Sequence, residues 1–140
     1  MNIRKKLAAT AVVGAFVTVG LAAAAPAFAT EGDGYCTSQD SDLGGDLCLY
    51  YNSNFAGARF NDPVSDNYAG HVFVAWSGGS AGAGQGVKNN AASVQNWDQV
   101  VQGNVYYNSG QTGPVQHIAA WTGVNFNSTL KNENASQNWG

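Results

Sequence analysis

The chain has 140 residues, 18 of them glycine, with 11% charged residues and a formal net charge of -3 at pH 7. Three of its six basic residues, Arg4, Lys5 and Lys6, crowd the start, so the chain from residue 30 onward sets Arg59, Lys88 and Lys131 against nine carboxylates, a net -6. That balance lacks the basic footprint that neutralises phosphates, and it argues against nucleic acid or an anionic membrane as partner.

Taken in chain order, residues 1–29 read as a secretory signal peptide. The basic start is followed by an apolar stretch from Leu7 to Ala24 and by the small-x-small pattern Ala27-Phe28-Ala29. Cleavage there leaves Thr30 to Gly140, which suits one domain and is short for two. Asp33, Asp40, Asp42 and Asp46 then form an acidic, solvated segment. The two cysteines, Cys36 and Cys48, lie 12 apart in the exported part, and an oxidising compartment favours one disulfide between them. Closing so short a loop is worth about 2–3 kcal/mol in the chain-entropy account.

Helical periodicity is nearly absent after residue 30, while short alternating runs are bounded by Gly, Asn, Ser and Asp. Leu47, Leu49 and Tyr51 share one strand face, and Val105 with Tyr107 repeats the pattern. Each strand enters a hairpin, Asn52 to Gly57 and Asn108 to Gly113, whose glycine supplies a positive φ. Further strands are expected at Ala58–Asn61, His71–Trp76, Val115–Ala119 and Val124–Asn127, with Val124, Phe126 and Leu130 on one face. The glycine-rich run from Ser77 to Gly86 lacks the spacing of a phosphate-binding loop and reads as a flexible hairpin loop.

One phrase occurs twice. Tyr50-Tyr51-Asn52-Ser53 with Gly57 returns as Tyr106-Tyr107-Asn108-Ser109 with Gly113, and Val87-Lys88-Asn89-Asn90-Ala91-Ala92-Ser93 returns as Leu130-Lys131-Asn132-Glu133-Asn134-Ala135-Ser136. The copies close on Gln95-Asn96-Trp97 and Gln137-Asn138-Trp139, and the first contains a longer excursion from Asp62 to Gly86. Asn and Ser bond to nearby backbone, and Asn tolerates the left-handed conformation, so the second phrase can fold a loop before the last strand of each copy. Tyr51, Tyr107, Trp97 and Trp139 are expected to fill the core.

At these phrases the chain resembles the βγ-crystallin superfamily. The tyrosine-to-glycine spacing looks like its hairpin signature, and Asn89-Asn90-x-x-Ser93 and Asn132-Glu133-x-x-Ser136 look like its loop signature. The resemblance implies an all-β fold, two Greek-key motifs forming one βγ-crystallin-like sandwich domain over residues 30–140. Motif one would span about 47–97 and motif two about 104–139. Within the superfamily, Cys-Leu-Tyr-Tyr-Asn-Ser at 48–53 and Val-Lys-Asn-Asn-Ala-Ala-Ser at 87–93 are similar to a secreted bacterial peptidase-inhibitor family, whose best-known type inhibits metalloproteinases.

That likeness implies a secreted, monomeric inhibitor that presents an exposed loop to an extracellular protease and requires no cofactor. The metalloproteinase-inhibitor type braces its reactive loop with a second cysteine pair, which this chain lacks, so no reactive bond transfers to a position here. Two stretches are candidates: Gly110 to Ile118, where Pro114 stiffens the backbone beside Val115, and the excursion, with Phe73 and Val74 in an apolar run. The alternatives are a calcium-binding stability module and a killer-toxin-like secreted protein. The resemblance offers Asn89, Asn90, Ser93, Asn132, Glu133 and Ser136 as calcium ligands. The family's final serine is Val94 in one copy and Gln137 in the other, and Glu133 is the one carboxylate, so only weak calcium binding is expected. An enzyme is not expected, because His71 and His117 lie in different copies and neither sits in a metal or nucleophile motif. Of two glycosylation sequons, at Asn127 and Asn134, the second is explained by the loop phrase.

Overall fold

Both faces of the first strand are covered, with Leu47, Cys48, Leu49 and Tyr50 all buried, but only alternate residues enter the central core. Leu47 and Leu49 are fully buried and Tyr51 packs against the same core, as side chains two apart on a strand must share a face. The computed structural model describes residues 32–38 and 44–140; the signal peptide expected over 1–29, and Asp40 and Asp42, lie outside the described residues. Eight strands follow: β1 Leu47–Asn52, β2 Ala56–Asp62, β3 Asp66–Asn67, β4 Ser93–Asn96, β5 Gly103–Asn108, β6 Thr112–Ile118, β7 Gly123–Asn125 and β8 Ser136–Trp139.

They form two antiparallel sheets, ordered β2-β1-β4-β7 and β3-β8-β5-β6. Each sheet therefore takes the first, second and fourth strands of one motif and the third strand of the other. Between the sheets lies a core that includes Leu47, Leu49, Phe60, Tyr68, Phe73, Val105, Ile118 and Leu130. The two hairpins match in detail. The pairing is shifted between Tyr50 and Asn52 and again between Tyr106 and Asn108, and Gly57 and Gly113 both hold φ at +80°. Asn89 at +62° and Asn132 at +60° occupy equivalent left-handed positions in the two Asn-rich loops.

The excursion differs from its expected form. His71–Trp76 is not a continuous strand but makes single bridges, Arg59 with Val74, Val72 with Gly86 and Trp76 with Gly79. Val74 and Arg59 exchange both backbone bonds, at 2.8 and 3.0 Å. Because β2 is an edge strand, this ribbon covers an edge that would otherwise be open to pairing with another chain. Nor is the glycine-rich run a free loop. Ala81 accepts the Ala58 N–H at 2.8 Å, and a Cβ at Gly82 would lie 2.1 Å from the Tyr51 ring. The glycines serve close approach across the first hairpin.

Four other expectations are corrected. Tyr107 is 38% exposed. Trp97 stands outside the core cluster, while Trp139 packs against its margin. The buried tyrosines are Tyr50 and Tyr68. β6 begins at Thr112, earlier than expected, and β7 ends at Asn125.

Candidate functional site

The two Asn-rich loops meet side by side. Asn89 donates its N–H to the Asn134 carbonyl at 2.7 Å, and Asn132 donates to Ala91 at 2.9 Å. Asn134 is fully buried, its side chain bonding to Ala91 and Leu130, which accounts for the sequon there as structure. Ser93 and Ser136 are fully buried too. The Ser93 hydroxyl donates to the Asn52 carbonyl at 2.7 Å and accepts the Phe55 N–H at 3.0 Å. Ser136 does the same for Asn108 at 2.6 Å and Gln111 at 3.0 Å.

Asn90 and Asn132 line one cleft of about 380 Å³ with Tyr51, Asn52, Ser53, Ala92 and Lys131. Asn89 and Glu133 are exposed on the loops and do not line it. No carboxylate lines this cleft, and its one charged residue is a lysine. Among the described residues no group of three His, Cys, Asp or Glu could hold a metal ion. A hard cation is held chiefly by oxygen ligands and their negative charge, so this donor set is poor for calcium.

Of the expected inhibitory positions, Pro114 is exposed, Val115 and Val74 are half-buried, and Phe73 is buried. Pro114 and Val115 lie within β6, where Val115 pairs with Tyr106. Proline at an edge strand blocks addition of a further strand. Phe73 is 1% exposed and edge-on to Tyr51 at 5.7 Å, so its side chain fills the core and is not presented to a partner.

A different surface carries two of the exposed apolar groups, Val100 and Trp121. The link between the motifs, residues 97–102, turns around Asp98, whose carboxylate accepts the N–H groups of Val100 and Val101 at 2.7 Å each and of Gly45 at 3.0 Å. Burial pushes the Asp98 pKa up, but those three donors outweigh it and hold the carboxyl below the usual carboxylate value. At the tip of this turn Val100 is 85% exposed. In the turn between β6 and β7, Trp121 is 57% exposed, and its backbone N–H donates to the Asp98 carbonyl at 2.7 Å.

The N-terminal segment braces the turn from below. Asp46 accepts the Trp97 N–H at 2.8 Å, and Cys36 and Cys48 form a disulfide that fastens the segment to β1. Asp46 also accepts the Thr37 N–H, and burial raises its pKa against that bond. The sequence offered one signal for this surface: an aspartate two residues before a pair of valines in the connection between motifs, an Asx turn with an apolar tip.

The fold is βγ-crystallin-like. A solved structure described as "Evolution of the eye lens beta-gamma-crystallin domain fold" superimposes with a TM-score of 0.53 at 13% identity, covering 68% of this chain and 84% of that one. The N-terminal domain of Protein S aligns with a TM-score of 0.48 at 17% identity, over 68% of this chain and 94% of that one. No family model matches the sequence, and no curated protein matches it.

Proposed function

We propose that this protein is a secreted, non-catalytic binding module that inhibits an extracellular peptidase by docking the Asp98–Gln102 turn against it. The observation that carries the reading is Val100, 85% exposed on a turn already held by Asp98 and by the disulfide-fastened segment beneath it. A contact surface fixed before binding loses little conformational entropy on association, and this favours affinity. Export is supported by the leader-like start and by a disulfide, which persists in oxidising compartments.

The test is inhibition of a panel of secreted metallo- and serine peptidases by the purified protein and by Val100→Asp. Inhibition of a panel member by the parent, lost in the variant, is the expected result. Unchanged rates across the panel at micromolar protein would remove the reading.

A further inference from the structure

We propose a second binding site at the foot of the same turn: the cleft in the corner formed by Trp97 and Trp121, built to seat one pyranose ring of a glycan. The cleft measures about 190 Å³ and is lined by Gln95, Asn96, Trp97, Trp121, Thr122 and Gly123. Drug-sized ligand sites begin at roughly 300 Å³, so this one suits a single ring. Its two indoles touch edge to face, with centroids 5.7 Å apart and planes 77° from parallel, so they meet as two walls of a corner.

Trp121 holds φ at +55°. A bulky side chain is strained there, and such strain persists where the surroundings impose it, characteristically at ligand clamps. Here the imposing bonds are Trp121 N–H to Asp98 and Asn96 N–H to the Thr122 carbonyl, both 2.7 Å. They keep the indole standing in solvent.

The polar groups select the ligand. Gln95 accepts the Tyr50 hydroxyl at 2.5 Å and the Trp97 Nε1–H at 3.4 Å. An indole N–H can only donate, so the bonded atom is the amide oxygen, and Nε2 is left without a partner among the described residues. Thr122 donates its hydroxyl to Ala119 at 2.7 Å and keeps lone pairs to accept. An amide donor disfavours a cationic guest, and no lysine or arginine lines the cleft to hold an anion. An aliphatic side chain would leave the amide unpaired at a cost. A sugar ring offers an apolar C–H face to the indole together with hydroxyls for Nε2 and Thr122. A second hollow lined by Gln99 and the same Trp121 gives room for the chain to continue past the indole edge.

The experiment is titration of intrinsic tryptophan fluorescence of the folded protein with cellotetraose, chitotetraose, xylotetraose and, separately, a decaproline peptide. Saturable binding of at least one sugar is expected, weakened at least about tenfold in Trp121→Ala, retained in large part in Trp121→Phe and unchanged in Val100→Asp. Melting curves establish that each variant is folded. Absence of saturation with all three sugars, equal binding by folded Trp121→Ala, or binding of the proline peptide alone would each overturn the proposal. Peptidase inhibition is read in a separate assay through Val100→Asp, so either site can fail without the other.

Discussion

Ser93 donates its hydroxyl to the carbonyl of Asn52 at 2.7 Å, tying the start of β4 to the far end of the first hairpin. Ser136 stands to Asn108 as Ser93 stands to Asn52, at 2.6 Å. Each hydroxyl is fully buried and also accepts a backbone N–H from the hairpin tip. Removing it strands two polar groups, so Ser93→Ala and Ser136→Ala should each cost about 1–3 kcal/mol. Denaturant titration of the single and double variants checks this, and the losses should add, because the two serines close different hairpins and share no partner.

The cleft beside Lys131 leads to a second expectation. A ligand that binds only the folded state raises its stability by mass action. With a lysine and no carboxylate lining that cleft, melting curves in about 0.1 mM calcium and in chelator should superimpose. A reproducible rise with calcium would assign the loops to a metal after all.

Asp98 makes the turn sensitive to acid. Its folded pKa lies below the ordinary value of 3.8, so the stability it contributes is present above that value and is lost as pH falls through the folded one. Asp46, with a raised pKa, works in the opposite sense: its contribution diminishes as pH rises from 3.8 through its folded value. The informative quantity is therefore the difference between the parent and Asp98→Asn. That gap should be wide at neutral pH and narrow below pH 3.8, measured by chemical denaturation across the range.

Gly82 and Gly84 separate two uses of glycine. Both have positive φ, +85° and +81°, but a Cβ at Gly82 would enter the Tyr51 ring whereas one at Gly84 meets nothing within 4 Å. Gly84→Ala should cost about 1 kcal/mol from backbone strain alone. Gly82→Ala should cost at least about 1–3 kcal/mol more from the overlap. Comparable losses at the two positions would refute the packing role assigned to the glycine-rich run.

What could be read from the sequence was local. The hairpin glycines, the left-handed asparagines and the cysteine pair depend on residues close together in the chain, and each occurs in the structure as expected. The exchange of third strands was not legible: β3 is Asp66–Asn67, two polar residues with no apolar pattern to announce a strand. Tyr51 and Tyr107 show the limit most clearly, since one repeated phrase gives two environments. Phe73 and Gly82 of the excursion cover Tyr51. The second copy has no such excursion, and Tyr107 is left exposed. Trp121 was missed because a lone tryptophan in a turn carries no periodicity, and its site comes from β4, the motif link and the β6–β7 turn brought together.

The reciprocal placement of β3 and β7 makes the two halves hostages of each other. A chain cut between Trp97 and Gly103 would yield two fragments, each with a sheet missing its outermost member and holding a spare strand shaped for the other. Neither fragment can close alone. Two copies of one fragment, however, could supply each other's missing strand, so the present single chain has the geometry of an intertwined dimer whose partners were joined end to end.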